Sequence, residues 1–222
     1  MINHELLAQC AQVDVSTWSD ALDQLNIQGV LQGITQRSGR GRMVGFAITA
    51  RQTPSVLGDF DKGDFAVGRL VQSTGPGLVL VVDVGGQPIS TLGGLAALAC
   101  SQRDARGVVI DGACRDLREI QATGLWLASR WVAPTTGKGR LRLEPLGQPV
   151  TVGGVLVHEG DLVVGDDTGL VVVPRQHLTD VLARAQAILK VDAALEQRLR
   201  RGEDFVSASN ATGYMPPLGA TP

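Results

Sequence analysis

The sequence predicts an α/β fold in which helices flank a mixed β-sheet. Two aliphatic runs, Leu78–Asp83 and residues 108–110, have the character of parallel strands buried on both faces, and helical patterns lie around them. From residue 140 onward the pattern changes to short β segments between glycine turns. A β-α-β half followed by a β-rich half indicates a single sheet of mixed direction.

The first expected element is a helix that begins near Ser16. Serine is a favoured N-cap residue, and Trp18, Ala21, Leu22 and Leu25 follow it near helical spacing. The elements expected next are a turn at 38–42, a strand near 43–51, a short helix at 63–72, a strand at 78–83, a helix at 92–103, a strand at 108–110, a short helix at 116–122 and a strand near 125–129.

Five short strands and one long helix are expected after residue 140. The strands are placed at 141–146, 150–152, 155–157, 162–164 and 170–173. The helix spans about 176–201, where leucine and alanine recur near helical spacing. The polar, proline-containing tail at 203–222 is expected to be extended or disordered. Because no linker separates the apolar segments, we expect residues 1–222 to form a single domain.

Composition and charge limit the partners. The net charge is −2 with both signs dispersed, so a nucleic-acid partner is not expected. No apolar run approaches the about 20 residues that cross a bilayer, and the N-terminus lacks the pattern of a signal peptide. Cys10, Cys100 and Cys114 form no Cys-x-x-Cys pair, which favours a reducing cytoplasmic location.

The most informative segment is the strand at 108–110 together with the turn that follows it. This turn ends on Arg115 and Asp116, just past the end of the strand, which is where α/β sheets place ligands. An arginine binds a carboxylate through two parallel hydrogen bonds, and an aspartate binds a hard divalent cation. The pair suits a small metal-chelating anion such as a 2-oxo acid. The alternative is a surface ion pair that caps the next helix.

A second candidate is the segment Gly93, Gly94, Leu95 and Ala96 at the start of a predicted helix. Backbone N–H groups there are free, the helix dipole favours an anion, and glycine lets a ligand approach closely. The alternative is a plain strand-to-helix turn.

Other polar residues have structural explanations. Asp111 is expected to brace a loop, with contact to Arg115 or to a metal-bound water as the alternative. Arg115 could lower the pKa of the Cys114 thiol, although a small packing residue explains Cys114 equally well. The acids at 166–167 precede a glycine and indicate a hairpin. The segment at 136–140 fails the nucleotide-loop pattern, and the histidines lack zinc-ligand spacing.

The run Gly-Ala-Cys-Arg-Asp at 112–116 resembles a motif of the RraA-like family. Segments at 93–96, 152–155 and 160–174 resemble the family in the same order, and the resemblance covers roughly residues 15–202. The family contains 4-hydroxy-4-methyl-2-oxoglutarate / 4-carboxy-4-hydroxy-2-oxoadipate aldolases and a non-catalytic regulator of ribonuclease E. The resemblance implies an α/β/β/α sandwich of the swivelling β/β/α type, and a homotrimer or homohexamer with sites between subunits.

The resemblance also implies roles for individual residues. Arg115 would bind the substrate, Asp116 would bind Mg²⁺ or Mn²⁺, and the amides of 93–96 would contact the carboxylate and oxo end of the substrate. Glu196 would reach the metal waters of a neighbouring subunit. The regulator lacks an acid at the position of Asp116, so the acid here favours the enzyme branch.

One departure from the family pattern concerns Gly94. Aldolases of the family have an acid near this position, linked to the metal through water. Either another carboxylate takes over that water here, or the preferred chemistry is not aldol cleavage. The expected function is therefore a metal-dependent lyase that cleaves 2-oxo acids to pyruvate and decarboxylates oxaloacetate. The alternatives are a protein-binding regulator of ribonuclease E and a related hydrolase or isomerase.

Overall fold

A computed structural model describes residues 4–215 of the 222-residue chain. Its α-helices are α1 (His4–Cys10), α2 (Val15–Asp23), α3 (Val67–Ser73), α4 (Gly94–Gln102), α5 (Leu117–Thr123), α6 (Leu178–Arg200) and α7 (Phe205–Thr212). Its β-strands are β1 (Thr35–Ser38), β2 (Met43–Pro54), β3 (Leu78–Asp83), β4 (Ser90–Leu92), β5 (Gly107–Cys114), β6 (Leu127–Val132), β7 (Leu141–Leu143), β8 (Val150–Val152), β9 (Val155–Val157), β10 (Leu162–Gly165) and β11 (Leu170–Val173).

The main sheet has the strand order β1-β6-β5-β3-β2-β10-β11. Strands β2, β3, β5 and β6 are parallel to one another, whereas β1, β10 and β11 pair antiparallel at the two ends. The short β4 pairs with the end of β5, and β7 pairs with the end of β2. Strands β8 and β9 form a separate hairpin. The predicted mixed direction is confirmed.

Four layers follow from how the buried side chains cluster. Helices α3, α4 and α5 pack on one face of the parallel strands, through residues such as Leu70, Ala97 and Ile120. The opposite face packs against β8 to β11, where Val109 and Val163 share a cluster. The outer face of β10 and β11 is covered by α2 and α6. Because the sheet curls back on itself in this way, the expected α/β/β/α sandwich is confirmed.

The first two helices differ from expectation. Helix α1 was not expected, and α2 begins at Val15 with Asp14 as its N-cap residue, so the expectation that Ser16 caps the helix is wrong. The N–H of Val15 donates to Asp166 Oδ2 at 3.3 Å, while Asp14 pairs with Arg42. The acceptor for this helix start therefore comes from the β10–β11 turn, about 150 residues away.

The C-terminal segment also differs from expectation. Residues 205–212 form α7, and the Asp204 carboxylate accepts the Ser207 N–H at 3.0 Å as an N-cap. The expectation of an extended or disordered tail at 203–222 is thus wrong for 205–212, while 216–222 lie outside the described residues. Within residues 4–215, no helix is long and apolar enough to cross a membrane.

Candidate functional site

Arg115 and Asp116 directly follow strand β5, at the edge of the layer formed by helices α3, α4 and α5. All eight residues of β5 are buried, and the Arg115 N–H donates to Leu92 O at 3.0 Å, which fixes the turn against β4. Asp116 then adopts φ 55° and ψ 43°, the left-handed region that non-glycine residues rarely occupy. Helix α5 begins at the next residue. This strained turn directs the Asp116 carboxylate back toward α4.

The Asp116 carboxylate keeps most of its capacity for ligands. Its Oδ2 accepts the Gly94 N–H at 3.3 Å and lies 3.6 Å from Arg115 Nε. Both side chains of this ion pair are 39% exposed, so the pair contributes little to stability. A cation or an anionic ligand can therefore replace the contact at small cost.

Glycine at position 93 is required by this arrangement. A Cβ atom on Gly93 would collide with the Asp116 carboxylate and would lie 3.2 Å from Arg115 Nε. The segment therefore brings the start of α4 directly against the arginine and aspartate. The Gly94 N–H is used by Asp116, and the first-turn N–H groups of Leu95 and Ala96 have no acceptor within their own helix.

Glycine at position 94 makes room for a residue that the sequence did not single out. A Cβ atom on Gly94 would collide with the Glu119 carboxylate and would lie 2.6 Å from Glu119 Cβ. Glu119 lies in the first turn of α5, three residues after Asp116, the N-cap residue of that helix. Residues with this spacing are neighbours on one side of a helix. This i, i+3 spacing after the Arg-Asp pair was the available sequence signal. The space of the absent side chain at 94 is filled by another carboxylate.

A cavity of about 220 Å³ lies over Gly93, Arg115 and Asp116, and Glu119 stands behind Gly94 outside its lining. It is smaller than the about 300–1,000 Å³ of pockets for drug-sized ligands, which suits a small organic acid. Its lining residues are Phe65, Val67, Ser90, Thr91, Gly93, Leu95, Ala96, Arg115, Asp116, Thr136 and Lys138. A larger cavity of about 910 Å³ lies around the 36–41 loop and Asp167 and contains none of the predicted site residues. Size alone therefore does not identify the site.

Asp111 has a different environment. Its Oδ1 accepts from Arg130 Nε at 2.5 Å and its Oδ2 accepts the Gly153 N–H at 2.7 Å. The residue is 6% exposed, and it joins β5 to β6 and to the β8–β9 turn. These contacts are those of the expected loop brace, with Arg130 rather than Arg115 as the partner.

Glu196 is not brought to the cavity within one chain. It lies on α6, where its Oε1 accepts from Arg200 at 2.9 Å and 2.5 Å, and its side chain is 61% exposed. Helix α6 belongs to the outer layer with α2, whereas α4 and α5 belong to the other outer layer.

The cysteine and hairpin expectations have clear outcomes. Burial raises the pKa of Cys114, and the cation that opposes this shift is Arg37 rather than Arg115, so of the two alternatives for Cys114 the packing residue is the one favoured. Cys114 is a packing residue. The acids at 166–167 lie in the β10–β11 hairpin as expected. No group of three or more histidine, cysteine or acidic side chains in residues 4–215 could hold a metal ion.

Comparison with known proteins gives consistent results. Residues 15–172 match the RraA-like family model, described as Aldolase/RraA. A relative from Halalkalibacterium halodurans, named "Putative 4-hydroxy-4-methyl-2-oxoglutarate aldolase", is 29% identical over 93% of each chain. An uncharacterized protein from Methanocaldococcus jannaschii is 34% identical over 59% of this chain, which spans only 62% of that protein's length.

A solved structure has the same fold. The crystal structure of RraAS2 from Streptomyces coelicolor, described as an unusual member of the RNase ES inhibitor RraA protein family, superposes with a TM-score of 0.80 at 27% identity. The likeness covers 90% of this chain and 100% of that one.

Proposed function

Because the chain belongs to the RraA-like family of aldolase and RraA proteins, we propose that it is a metal-dependent lyase that cleaves 2-oxo acids to pyruvate. The observation that carries the proposal is the Asp116 carboxylate, held by a left-handed turn beside Arg115 at a small cavity. Decarboxylation of oxaloacetate is a related activity, since it passes through the same enolate of pyruvate.

The residues present fit a divalent cation. Asp116 offers a hard carboxylate oxygen whose space is kept open by Gly93, where a Cβ atom would collide with it. One protein carboxylate is enough for Mg²⁺, which retains waters and accepts substrate oxygens as further ligands; Mn²⁺ suits the same oxygen donors. A bound cation would supply Lewis-acid stabilisation of the charge that develops on the 2-oxo oxygen.

Binding of the substrate's oxo-acid end is assigned to Arg115 and the start of α4. The Arg115 guanidinium can donate two parallel hydrogen bonds to a carboxylate. The N–H groups of Leu95 and Ala96 point from a helix N-terminus, where the dipole favours negative charge. These donors are already in position, so they need not reorganise as charge develops.

The bond changes require a base. When the C3–C4 bond breaks, its electron pair moves to form the pyruvate enolate, the 4-hydroxyl group loses its proton, and a carbonyl forms at C4. The enolate carbon then takes up a proton. We assign the proton transfer to Glu119, acting through water, because its carboxylate occupies the space beside Gly94, one helical turn from Asp116.

A protein-binding regulator is the second candidate, and the likeness to the Streptomyces coelicolor member of an RNase ES inhibitor family favours it. In that case the outer surface, and not the cavity, would carry the function. Asp116 separates the two candidates, because the lyase needs a carboxylate beside Arg115 at the cavity and a purely protein-binding role does not. A pull-down with ribonuclease E beside a pyruvate-release assay discriminates between them.

Assembly into a homotrimer or homohexamer belongs to the same proposal. Leu95 and Leu98 on α4 are 83% and 44% exposed next to the cavity, as expected for residues that a second copy covers. In such an assembly Glu196 would reach a neighbouring subunit's cavity from α6. Light scattering that finds a monomer in solution contradicts this part of the proposal.

The test of the proposed function is Asp116→Ala. Loss of the carboxylate removes the cation's protein ligand, so pyruvate release from oxaloacetate and from 4-hydroxy-4-methyl-2-oxoglutarate should fall by about a thousandfold or more, equivalent to several kcal/mol. Calorimetry should show Mn²⁺ uptake, with oxalate as enolate mimic, in the parent and not in the variant.

A matched control exists on the same helix layer. Asp104 is also an exposed aspartate in the left-handed region, with φ 56°, but does not line the cavity. Asp104→Ala should keep both activity and Mn²⁺ binding. Activity retained in the Asp116 variant, or no Mn²⁺ uptake by the parent, would refute the metal assignment.

A further inference from the structure

A buried glutamine behind the cavity connects two of the segments that line it. Gln52 lies on β2, is 1% exposed and is not part of the lining. Its Nε2 donates to the Phe65 carbonyl at 3.2 Å, and its Oε1 accepts from the Thr91 hydroxyl at 2.8 Å. Phe65 and Thr91 both line the cavity. The proposed function gives this glutamine no part.

The direction of both hydrogen bonds is fixed by chemistry. A backbone carbonyl can only accept, so the NH2 group of Gln52 must face Phe65. The oxygen of the same amide then accepts from the Thr91 hydroxyl. All three residues are buried, and a buried polar group that loses its partner is costly. The amide satisfies one acceptor and one donor at once, which a hydrocarbon or an ionised carboxylate at this position cannot do.

The bond to Phe65 holds a strained helix start. Ala66, the N-cap residue of α3, has φ 43° and ψ 36°, a left-handed conformation that persists only where neighbouring contacts enforce it. The Phe65 ring packs so closely on Gly137 that a Cβ atom there would collide with it. Lys138, the next residue, lines the cavity. Gln52 therefore acts on the start of α3 and, through the Phe65 ring, on the loop that carries Lys138.

The bond to Thr91 acts on Arg115 through β4. Thr91 is the middle residue of this three-residue strand. The carbonyl of the next residue, Leu92, accepts the Arg115 N–H at 3.0 Å and accepts from the Ser90 hydroxyl at 3.1 Å. Gly93 and α4 follow directly. A shift of β4 would therefore displace both the Arg115 turn and the start of α4.

We infer that Gln52 is a positioning residue of this site, which holds the start of α3 and the Arg115 turn in fixed relative positions across the cavity. The inference rests on the function proposed above, in which Arg115 binds the oxo-acid end of the substrate. Gln52 acts only through Phe65 and Thr91. If the amide merely stabilised the core, its loss would lower stability and leave the folded protein fully active.

The test compares Gln52→Leu and Thr91→Val under conditions where circular dichroism shows both variants folded. In each variant kcat for oxaloacetate should fall about tenfold, the lower end of the range for residues that orient a ligand-binding group, with KM within about threefold of the parent. The double variant should lose no more than Gln52→Leu alone, because the bond between the two side chains is already absent there.

A matched control is Asp161→Asn. Asp161 is 3% exposed, and its carboxylate joins two segments remote from the cavity lining by accepting the N–H groups of His158 and Arg175, each at 2.8 Å. The variant should be less stable than the parent, with an unchanged kcat.

Gln52→Glu tests the same bonds by pH. Only the protonated carboxyl group can donate to Phe65 while it accepts from Thr91, and burial raises the pKa of such a group. The protonated form is present below that pKa, so kcat of this variant relative to the parent should rise as the pH falls from about 8 to about 6. A purely stabilising role would change the folded fraction with pH, but not kcat of the folded protein.

Parent-like kcat in both Gln52→Leu and Thr91→Val, or an equal loss in Asp161→Asn, would overturn the inference. Hydrogen–deuterium exchange needs no turnover: Gln52→Leu should speed exchange at 64–67, 90–93 and 113–116 at least about tenfold and leave α6 unchanged. It therefore decides the role of Gln52 even if the parent protein releases no pyruvate, a result that would defeat only the proposed lyase function. Exchange at the parent's rate around Arg115 would overturn the inference.

Discussion

Two aspartates five residues apart, at opposite sides of the end of β5, occupy contrasting environments. Asp111 is 6% exposed, and both of its carboxylate oxygens accept hydrogen bonds at 2.5–2.7 Å. Asp116 has a strained backbone, and the one hydrogen bond of its carboxylate among the described residues is a 3.3 Å contact from the Gly94 N–H. The same residue type thus stabilises the fold at position 111 and remains available to a ligand at position 116.

The contrast separates a structural acid from the acid proposed to bind the metal. Asp111 joins three elements, and its capacity for further contacts is used up. The Asp116 carboxylate makes only a long hydrogen bond, at 3.3 Å, to the start of α4. Its left-handed conformation is nevertheless unfavourable for a residue with a side chain. A residue held in an unfavourable conformation with unused ligand capacity is the better candidate for chemistry.

The largest expected effect is on stability and follows from removing the structural acid, Asp111. Asp111→Ala leaves the Arg130 Nε–H and the Gly153 N–H without their acceptor and the Arg130 charge without its carboxylate, so the free energy of unfolding should fall by about 3 kcal/mol. That is the lower end of the usual range, because Arg130 is partly exposed. Urea unfolding measures the change.

Asp116→Ala provides the control for that measurement, since it should alter the free energy of unfolding by less than about 1 kcal/mol. Similar stability losses in the two variants would contradict the distinction between a structural Asp111 and an Asp116 that is available to a ligand.

The next effect sharpens the functional side. Arg115→Lys keeps the positive charge but loses the pair of parallel hydrogen bonds to a carboxylate. The kcat/KM for oxaloacetate should therefore fall about thirtyfold, which corresponds to a loss of about 2 kcal/mol of transition-state stabilisation. Steady-state kinetics measure this change, and the unfolding midpoint should stay close to that of the parent. If the lysine variant performs like the parent, Arg115 supplies only charge.

The smallest expected effect concerns Glu119. If it acts through water, Glu119→Gln should lower kcat about tenfold, with less change in KM. Glu203→Gln is the control, since Glu203 pairs with Arg198 near the end of α6. A KM effect without a kcat effect would assign Glu119 to binding.

Much of the fold could be predicted from periodicity. The aliphatic strands β3 and β5, the short strands β8 to β11 and the long helix α6 all follow from simple apolar patterns. Strand β1 could not be predicted in the same way, because its sequence Thr-Gln-Arg-Ser is polar and its pairing with β6 is set by tertiary contacts. The short apolar signal of α7 was outweighed by the prolines that follow it.

The candidate site shows the same limit. Arg115, Asp116 and the glycines at 93 and 94 could be selected because they lie at ends of predicted elements. Lys138 could not be assigned there, since it comes from a loop more than twenty residues away. Glu119 was marked only by its spacing after the Arg-Asp pair, on a helix with several charged residues. Their proximity depends on two glycine contacts that become visible only in three dimensions.

The contact between Gly94 and Glu119 has an evolutionary consequence. A side chain at position 94 and a glutamate at position 119 exclude each other sterically, so position 94 cannot gain bulk while Glu119 is present. Mutations at the two positions should be strongly epistatic: an acid introduced at 94 would be tolerated only after 119 has become small. Related lineages are expected to carry the carboxylate at one position or the other, and directed evolution of this site would need to randomise both codons together.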